Sequence, residues 1–132
     1  MSSADLPAPA ASEVLELEFA AGLVGLPDAH RFRLAVLDDG PLLELAGLDS
    51  GLAFAALPAD GVRPGMTDEL RARGAIGAGE RLLALLSVHG EPAVVTANLA
   101  GPLAVDPAAG TARQLVLEGE AYPLRAPVGA AA

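Results

Sequence analysis

The 132-residue chain carries a net charge of -9, because its 17 acidic residues outnumber eight basic residues, all of them arginine. Its hydrophobic fraction of 52% and charged fraction of 19% exclude a disordered chain and predict one compact domain. The negative charge and the aromatic content of only 3% exclude direct binding to nucleic acid. A charged partner is therefore expected to be a basic protein.

Cysteine is absent and only two histidines are present, so the sequence predicts no disulfide, no metal site and no cofactor. Apolar runs such as Leu82–Leu86 are far shorter than the roughly 20 residues of a membrane span, and no signal peptide is recognisable at the start. We therefore expect a cytoplasmic protein. Its single domain is predicted at residues 13–127, between flexible tails at 1–12 and 128–132.

Two segments alternate apolar and charged residues with the period of a β-strand. Val14–Phe19 places glutamates at positions 16 and 18 on one face, and Arg31–Val36 places arginines at 31 and 33 on one face. Opposite charges on neighbouring strands stabilise their pairing. The sequence therefore predicts that these two strands lie side by side.

The remaining pattern favours a mainly β protein. Further short strands are predicted at Leu42–Leu45, Leu52–Leu57, Ala93–Leu99, Pro102–Val105 and Arg113–Leu117. One short helix is predicted to begin with Thr67 as its cap and to end at Gly74, whereas Gly79–His89 is compatible with a strand or a helix. Turn signals between so many short strands predict a small antiparallel β-barrel-like domain with one short helix.

The side chains that could support catalysis do not form a recognisable motif. Candidates are Ser87 or Thr96 as nucleophile, His89 or His30 as base, and Asp106 or Asp38 as the orienting acid. No Gly-x-Ser-x-Gly sequence surrounds a serine, and no phosphate-binding glycine loop with a lysine occurs. We therefore assign no catalytic residue and do not expect an enzyme. Gly22 and Gly25 are expected to serve the backbone at a chain reversal.

Several strings resemble one family in order and spacing. Residues 19–27, Phe-Ala-Ala-Gly-Leu-Val-Gly-Leu-Pro, resemble the Phe-x-x-Gly-Leu-x-Gly-Phe/Leu pattern of the bacterial flagellar assembly factor FliW. Residues 96–106 are similar to its Val-Asn-Leu-Lys-Ala-Pro-Ile-Val-Ile-Asn segment, and residues 114–117 with Tyr122 and Arg125 resemble its ending. Weaker similarities at 32–34, 41–45 and 52–58 lie between them in the family's order.

The chain also departs from the family pattern at three places. Pro64 is followed by Gly65 and Met66 where a tyrosine is frequent, Ala46-Gly47 replaces a Gln-Ser pair, and Ala100 replaces a lysine. These departures concern a binding surface more than the fold.

The resemblance implies a non-catalytic protein that binds two partners in turn, flagellin and the RNA-binding translational repressor CsrA. Free of flagellin, such a protein holds CsrA and prevents it from silencing flagellin mRNA, and accumulating flagellin releases CsrA. The charge of -9 independently favours a basic RNA-binding protein over RNA itself. The chain is expected to be a monomer when free. The alternative is a small β-module that binds another protein or a small ligand without catalysis.

Four residues are predicted to bind the partner: Glu44, Asp49, Asn98 and Gln114. Glu44 and Asp49 lie beside a turn with no evident internal ion pair, so a basic patch on CsrA could meet them. Asn98 is expected to close a bulge or turn with its amide, or else to contact the partner. Gln114 is similar, and its amide is predicted to pair with Asn98.

Overall fold

The computed structural model describes residues 14–37, 41–48 and 50–128. Outside these ranges lie the expected tail at 1–12, all of the expected tail at 128–132 except Val128, and the acidic residues Asp38, Asp39 and Asp49. The strands are β1 (Leu15–Phe19), β2 (Arg31–Val36), β3 (Leu43–Gly47), β4 (Ala53–Pro58), β5 (Arg81–His89), β6 (Val94–Ala97), β7 (Leu103–Asp106), β8 (Thr111–Gln114) and β9 (Ala126–Pro127). A 3-10 turn (Ala59–Gly61) and helix α1 (Met66–Ala72) connect β4 to β5.

Seven of the strands close into a barrel in the order β1–β2–β3–β4–β5–β7–β8, with β8 returning to β1. The β8–β1 pairing is parallel, with Phe19 opposite Ala112, and the other pairings are antiparallel. Strands β6 and β9 lie outside the barrel and extend a second sheet from β5. For the residues that the structure describes, the prediction of a small, mainly antiparallel barrel with one short helix is confirmed. Closure leaves the barrel strands without free edges, which are the usual sites of aggregation.

The predicted pairing of the first two strands is confirmed. Glu16 lies opposite Arg33 and Glu18 lies opposite Arg31, so each acid faces an arginine on the outer surface. On the inner face, Leu17 pairs with Phe32. Phe32 also packs edge-on against Phe19, with the ring centroids 5.3 Å apart. The alternating sequence thus fixes which face of the first hairpin enters the barrel.

Residues 82–86 of strand β5 are buried or half-buried on both faces, which explains the ambiguous sequence pattern of this strand. Leu83 and Leu85 contribute to the barrel interior, whereas Leu82, Ala84 and Leu86 pack into a second core outside the barrel wall. A strand covered on both sides has a nearly continuous apolar run in place of alternation. Its first half pairs with β7 and its second half with β6, so β5 joins the barrel to the outer sheet.

The second core is built between the barrel wall, α1 and the outer sheet. Met66 and Leu70 of α1 are fully buried there, together with Tyr122 and Leu99. Beyond β9, the backbone N–H of Val128 donates to the Val95 carbonyl at 3.1 Å. The polypeptide after β9 thereby continues the outer sheet along β6.

Helix α1 differs from its prediction at the start and agrees at the end. It begins at Met66 after Gly65, and Thr67 is not its cap. The Thr67 backbone N–H instead donates to Asp60 at 2.7 Å, so the 3-10 turn supplies the capping carboxylate. Gly74 adopts φ of +78° just beyond the helix, as expected for a residue that ends it.

Strand β8 lies two to three residues earlier than the predicted 113–117. Gly110, with φ of +72°, closes the preceding turn by donating its N–H to the Asp106 carbonyl, and pairing with β7 resumes at once at Thr111. Leu115 and Leu117 still donate backbone hydrogen bonds, to Pro102 and Ala100, but as a separate loop contact. The apolar residues at 115–117 therefore belong to an irregular segment.

Candidate functional site

The segment between β1 and β2 folds into a compact projecting loop. Gly22 has φ of +71°, and a Cβ there would lie 2.6 Å from the Pro27 carbonyl oxygen, so only glycine fits without displacing backbone. Leu23 and Leu26 exchange two backbone hydrogen bonds of 2.8 and 3.1 Å, which close a tight turn. The turn leaves Val24 at its tip with 67% of its surface exposed.

A second loop, between β6 and β7, approaches the first and is fixed by two amide side chains. The Asn98 side-chain oxygen accepts a hydrogen bond from the Gly101 N–H at 2.8 Å. The Gln114 Nε2 donates to the Gly101 carbonyl at 2.8 Å. A Cβ at Gly101 would lie 2.8 Å from that Nε2, so the glycine leaves room for both amides. Asn98 therefore binds the N–H of Gly101, and Gln114 binds its carbonyl.

Gln114 also holds the first loop. Its Oε1 accepts a hydrogen bond from the Val24 N–H at 2.7 Å, while its Nε2 is bonded to Gly101. One side chain on β8 therefore connects two loops that are 77 residues apart in the chain, since 101 - 24 = 77. We call this contact the Gln114 latch.

Between these loops lies a cleft of about 320 Å³. Its lining is mainly apolar, with the amides of Asn98 and Gln114 as its polar members; the lining residues are Leu23, Val24, Leu26, Phe54, Leu85, Asn98, Ala100, Gly101, Gln114, Leu115, Val116 and Leu124. Three apolar side chains at its rim are far more exposed than is usual for their type: Val116 at 74%, Val24 at 67% and Leu124 at 62%. A clustered apolar surface of this kind is typical of a protein or ligand contact.

Of the three predicted partner-binding residues that the structure describes, Asn98 and Gln114 line the cleft and Glu44 does not. Asn98 and Gln114 both bind Gly101, and both line the cleft. The two amides are not hydrogen-bonded to each other as predicted, because each binds the glycine between them. Glu44 lies on the exposed outer face of β3. It precedes Gly47, the last residue of that strand, by three residues, which is about 10 Å along the strand. Asp49 lies outside the described residues.

Parts of the weak catalytic pattern approach one another. His89 Nε2 lies 3.1 Å from the Thr96 hydroxyl, and Ser87 pairs with Thr96 across β5 and β6. The other histidine, His30, instead donates from Nδ1 to the Phe19 carbonyl at 2.8 Å. Asp106 accepts from the Ala109 N–H in its own turn. His89, His30 and Asp106 therefore each have a hydrogen-bond partner near by, and the contacts do not join them into one catalytic group.

A polar cluster that the sequence did not reveal surrounds the buried Tyr122. Its hydroxyl accepts a hydrogen bond from Arg73 at 2.6 Å and donates to Glu69 Oε1 at 2.8 Å. Arg63 donates to the same Glu69 oxygen at 2.7 Å and stacks over the tyrosine ring, 5.2 Å from its centroid. The hydrogen bond from Tyr122, together with the charge of Arg63, lowers the pKa of Glu69. Burial and the nearby Glu69 raise the pKa of Tyr122.

A second ion pair ties the loop after α1 to β8. Glu80 accepts two hydrogen bonds from Arg113, at 2.9 and 3.1 Å, and a third from the Gly77 N–H at 2.8 Å. The bonds from Arg113 lower the pKa of Glu80, and the same contact raises the pKa of Arg113. Arg113 also donates to the Ala75 carbonyl at 2.9 Å. The Glu80–Arg113 pair thereby holds Arg113, the residue that precedes Gln114, in position.

The rim of the cleft and the tyrosine cluster are the main features that the sequence did not predict. The predicted strand at 113–117 contains Val116, and an outward apolar residue is common on a strand. No local sequence pattern relates Val116 to Val24. Across residues 14–37, 41–48 and 50–128, no group of three or more acids or histidines is arranged to hold a metal ion. Within those same ranges, no helix has the length and apolar character needed to cross a membrane.

Comparisons with known proteins agree with one another. The family described as FliW protein matches residues 8–128. The flagellar assembly factor FliW of Geotalea uraniireducens (strain Rf4) is 34% identical over 113 residues, which cover 80% of this chain and 69% of that protein. A crystal structure of the flagellar assembly factor FliW superposes with a TM-score of 0.66 at 20% identity, over 85% of this chain and 84% of the other. At 20% identity, this superposition shows only that the two proteins share a fold.

Proposed function

This chain belongs to the FliW family, and from that membership we propose that it is a flagellar assembly factor that binds flagellin and the RNA-binding repressor CsrA in turn. Bound to this protein, CsrA no longer silences flagellin mRNA. Accumulating flagellin then occupies the protein, CsrA is released, and flagellin translation falls. The observation that carries the proposal is the family match along residues 8–128.

Two features of the chain support a role in binding proteins. The exposed apolar rim of the cleft has the character of a protein contact. The charge of -9 favours a basic partner and opposes binding to the RNA that this partner recognises. We accordingly propose a cytoplasmic, non-catalytic protein that is monomeric when free.

Within this function, Asn98 and Gln114 are proposed to contribute to partner binding by shaping the cleft. Glu44, with Asp49, is proposed to attract CsrA from a distance, because exposed charges act mainly on the rate of association. The alternative, a β-module that binds some other protein or a small ligand, would use the same cleft.

The proposal is tested by titrating the purified protein with CsrA at about 0.05 M and about 0.5 M salt, over which screening shortens the reach of charges severalfold. We expect a complex at low salt whose affinity falls by about tenfold or more at high salt. Absence of a complex at low salt would contradict the proposal, and a salt-independent complex would contradict its electrostatic part.

Charge reversal then tests the outer acidic residues. The Glu44→Arg, Asp49→Arg double variant is expected to slow CsrA association about tenfold while leaving the melting temperature nearly unchanged, because surface charges contribute little to stability. Glu91→Arg, at an exposed acid on the turn between β5 and β6, is the control for charge reversal elsewhere on the surface. Equal association rates for the double variant and the control would place the attracting charges elsewhere.

A further inference from the structure

The cleft combines three properties that are specific to one region of the surface. Its lining is mainly apolar, Val24 and Val116 of that lining are exposed by two-thirds or more, and the lining also includes the Asn98 amide. The Asn98 oxygen is occupied by the Gly101 N–H, whereas within the described ranges its Nδ2 donates no hydrogen bond. An amide donor at an apolar cleft can satisfy a backbone carbonyl of an entering peptide segment.

The charged residues that neighbour the lining residues in the chain are mainly negative. Asp28, Glu118 and Glu120 are exposed and follow the lining residues Leu26 and Val116 by two to four positions. Of the neighbouring arginines, Arg113 is paired with Glu80, and Arg125 is the exposed opposing charge. An apolar cleft with such a rim complements apolar side chains that have basic residues beside them.

We propose that this cleft is the docking site for a short apolar segment, flanked by basic residues, of the RNA-binding partner. The inference rests on the proposed function and adds where binding occurs and which chemistry is recognised. Proteins that bind RNA concentrate arginine and lysine on their surfaces, which matches the acidic rim. Apolar side chains of the segment cover Val24, Val116 and Leu124, and its backbone accepts from Asn98.

The Gln114 latch makes the cleft a preformed site. Because Gln114 holds the Val24 N–H and the Gly101 carbonyl at once, the two walls keep their spacing before a partner arrives. A preformed site loses less conformational entropy on binding than one that must be ordered. Gln114 is in this sense a positioning residue.

The test places a charge at the rim. Val24→Asp and Val116→Asp are each expected to weaken CsrA binding at least about tenfold, because a carboxylate would be buried against apolar side chains. Val88→Asp is a matched control, since Val88 and Val24 have the same type and the same exposure of 67%, and Val88 lies on β5 away from the cleft. Unchanged melting temperatures show that the variants are folded, and the two independent rim positions guard against a local defect in one.

The outcomes separate the inference from the function on which it rests. If the unmodified protein binds no CsrA at low salt, the proposed function fails. If it binds CsrA and the rim variants bind as well as Val88→Asp does, the function stands and the cleft is not the site. If the rim variants lose flagellin binding alone, the cleft is assigned to flagellin. If they abolish a concentration-dependent self-association, it is assigned to a second copy of this chain. Either result would contradict the inference.

Discussion

At the scale of single residues, the glycines and amides of the two cleft loops have defined roles. Gly22 and Gly25 both adopt positive φ, as the sequence predicted for a chain reversal, but only Gly22 is also enclosed by backbone. Asn98 was expected to act through its amide within a turn, and it does so by accepting from Gly101. The latch from Gln114 to Val24 was not predictable, because no local pattern relates residues so far apart in the chain.

The two glycines provide a direct test at this scale. Gly22→Ala and Gly25→Ala share the strain of positive φ, about 1–2 kcal/mol each. Only alanine at position 22 would also meet backbone oxygens, at 2.6 and 2.7 Å, whereas position 25 has no atom within 4 Å. Urea denaturation should therefore show Gly22→Ala to be less stable than Gly25→Ala by about 2 kcal/mol. Equal losses would mean that the loop does not pack as described.

At the scale of elements, the sequence predicted strands well where one face is buried and the other is exposed. The alternating residues of β1 and β2 predicted their pairing correctly, with acids of one strand opposite arginines of the other. Strand β5 remained ambiguous because burial on both faces removes alternation, and the start of α1 was misplaced because its cap comes from Asp60, outside the helix. Tertiary contacts decide both features, and a single sequence does not display them.

The Glu80–Arg113 pair gives an element-scale prediction with a defined pH dependence. The pKa of Glu80 is lowered from the ordinary value of 4.5 in the folded protein, so its stabilising contribution is present above about pH 4.5 and is lost as the pH falls through the lower folded value. Glu80→Gln is expected to reduce stability near pH 7 by about 1 kcal/mol. The difference from the unmodified protein should shrink towards zero below pH 4.5.

Urea denaturation at a series of pH values measures this difference. Glu91→Gln, at an exposed acid on the turn between β5 and β6, is the control. A difference between Glu80→Gln and the unmodified protein that stays constant from neutral to acidic pH would show that the carboxylate charge is not what stabilises the loop.

At the scale of the whole molecule, the described residues form two buried cores and an apolar cleft at the surface. The closed barrel and the second core bury the large aromatic and aliphatic side chains, and the parallel β8–β1 pairing completes the wall. That closure was not foreseen in detail, because it joins strands from opposite ends of the domain. The exposed apolar side chains Val24, Val116 and Leu124 are then concentrated at the cleft, beside acidic residues.

The central claim is that this protein acts by exchanging protein partners at its surface. It is tested most directly by following labelled flagellin leader RNA bound to CsrA while this protein, and then flagellin, are added. The account predicts that the protein releases the RNA from CsrA and that flagellin restores RNA binding. RNA that stays bound to CsrA at saturating concentrations of this protein and low salt would contradict the account.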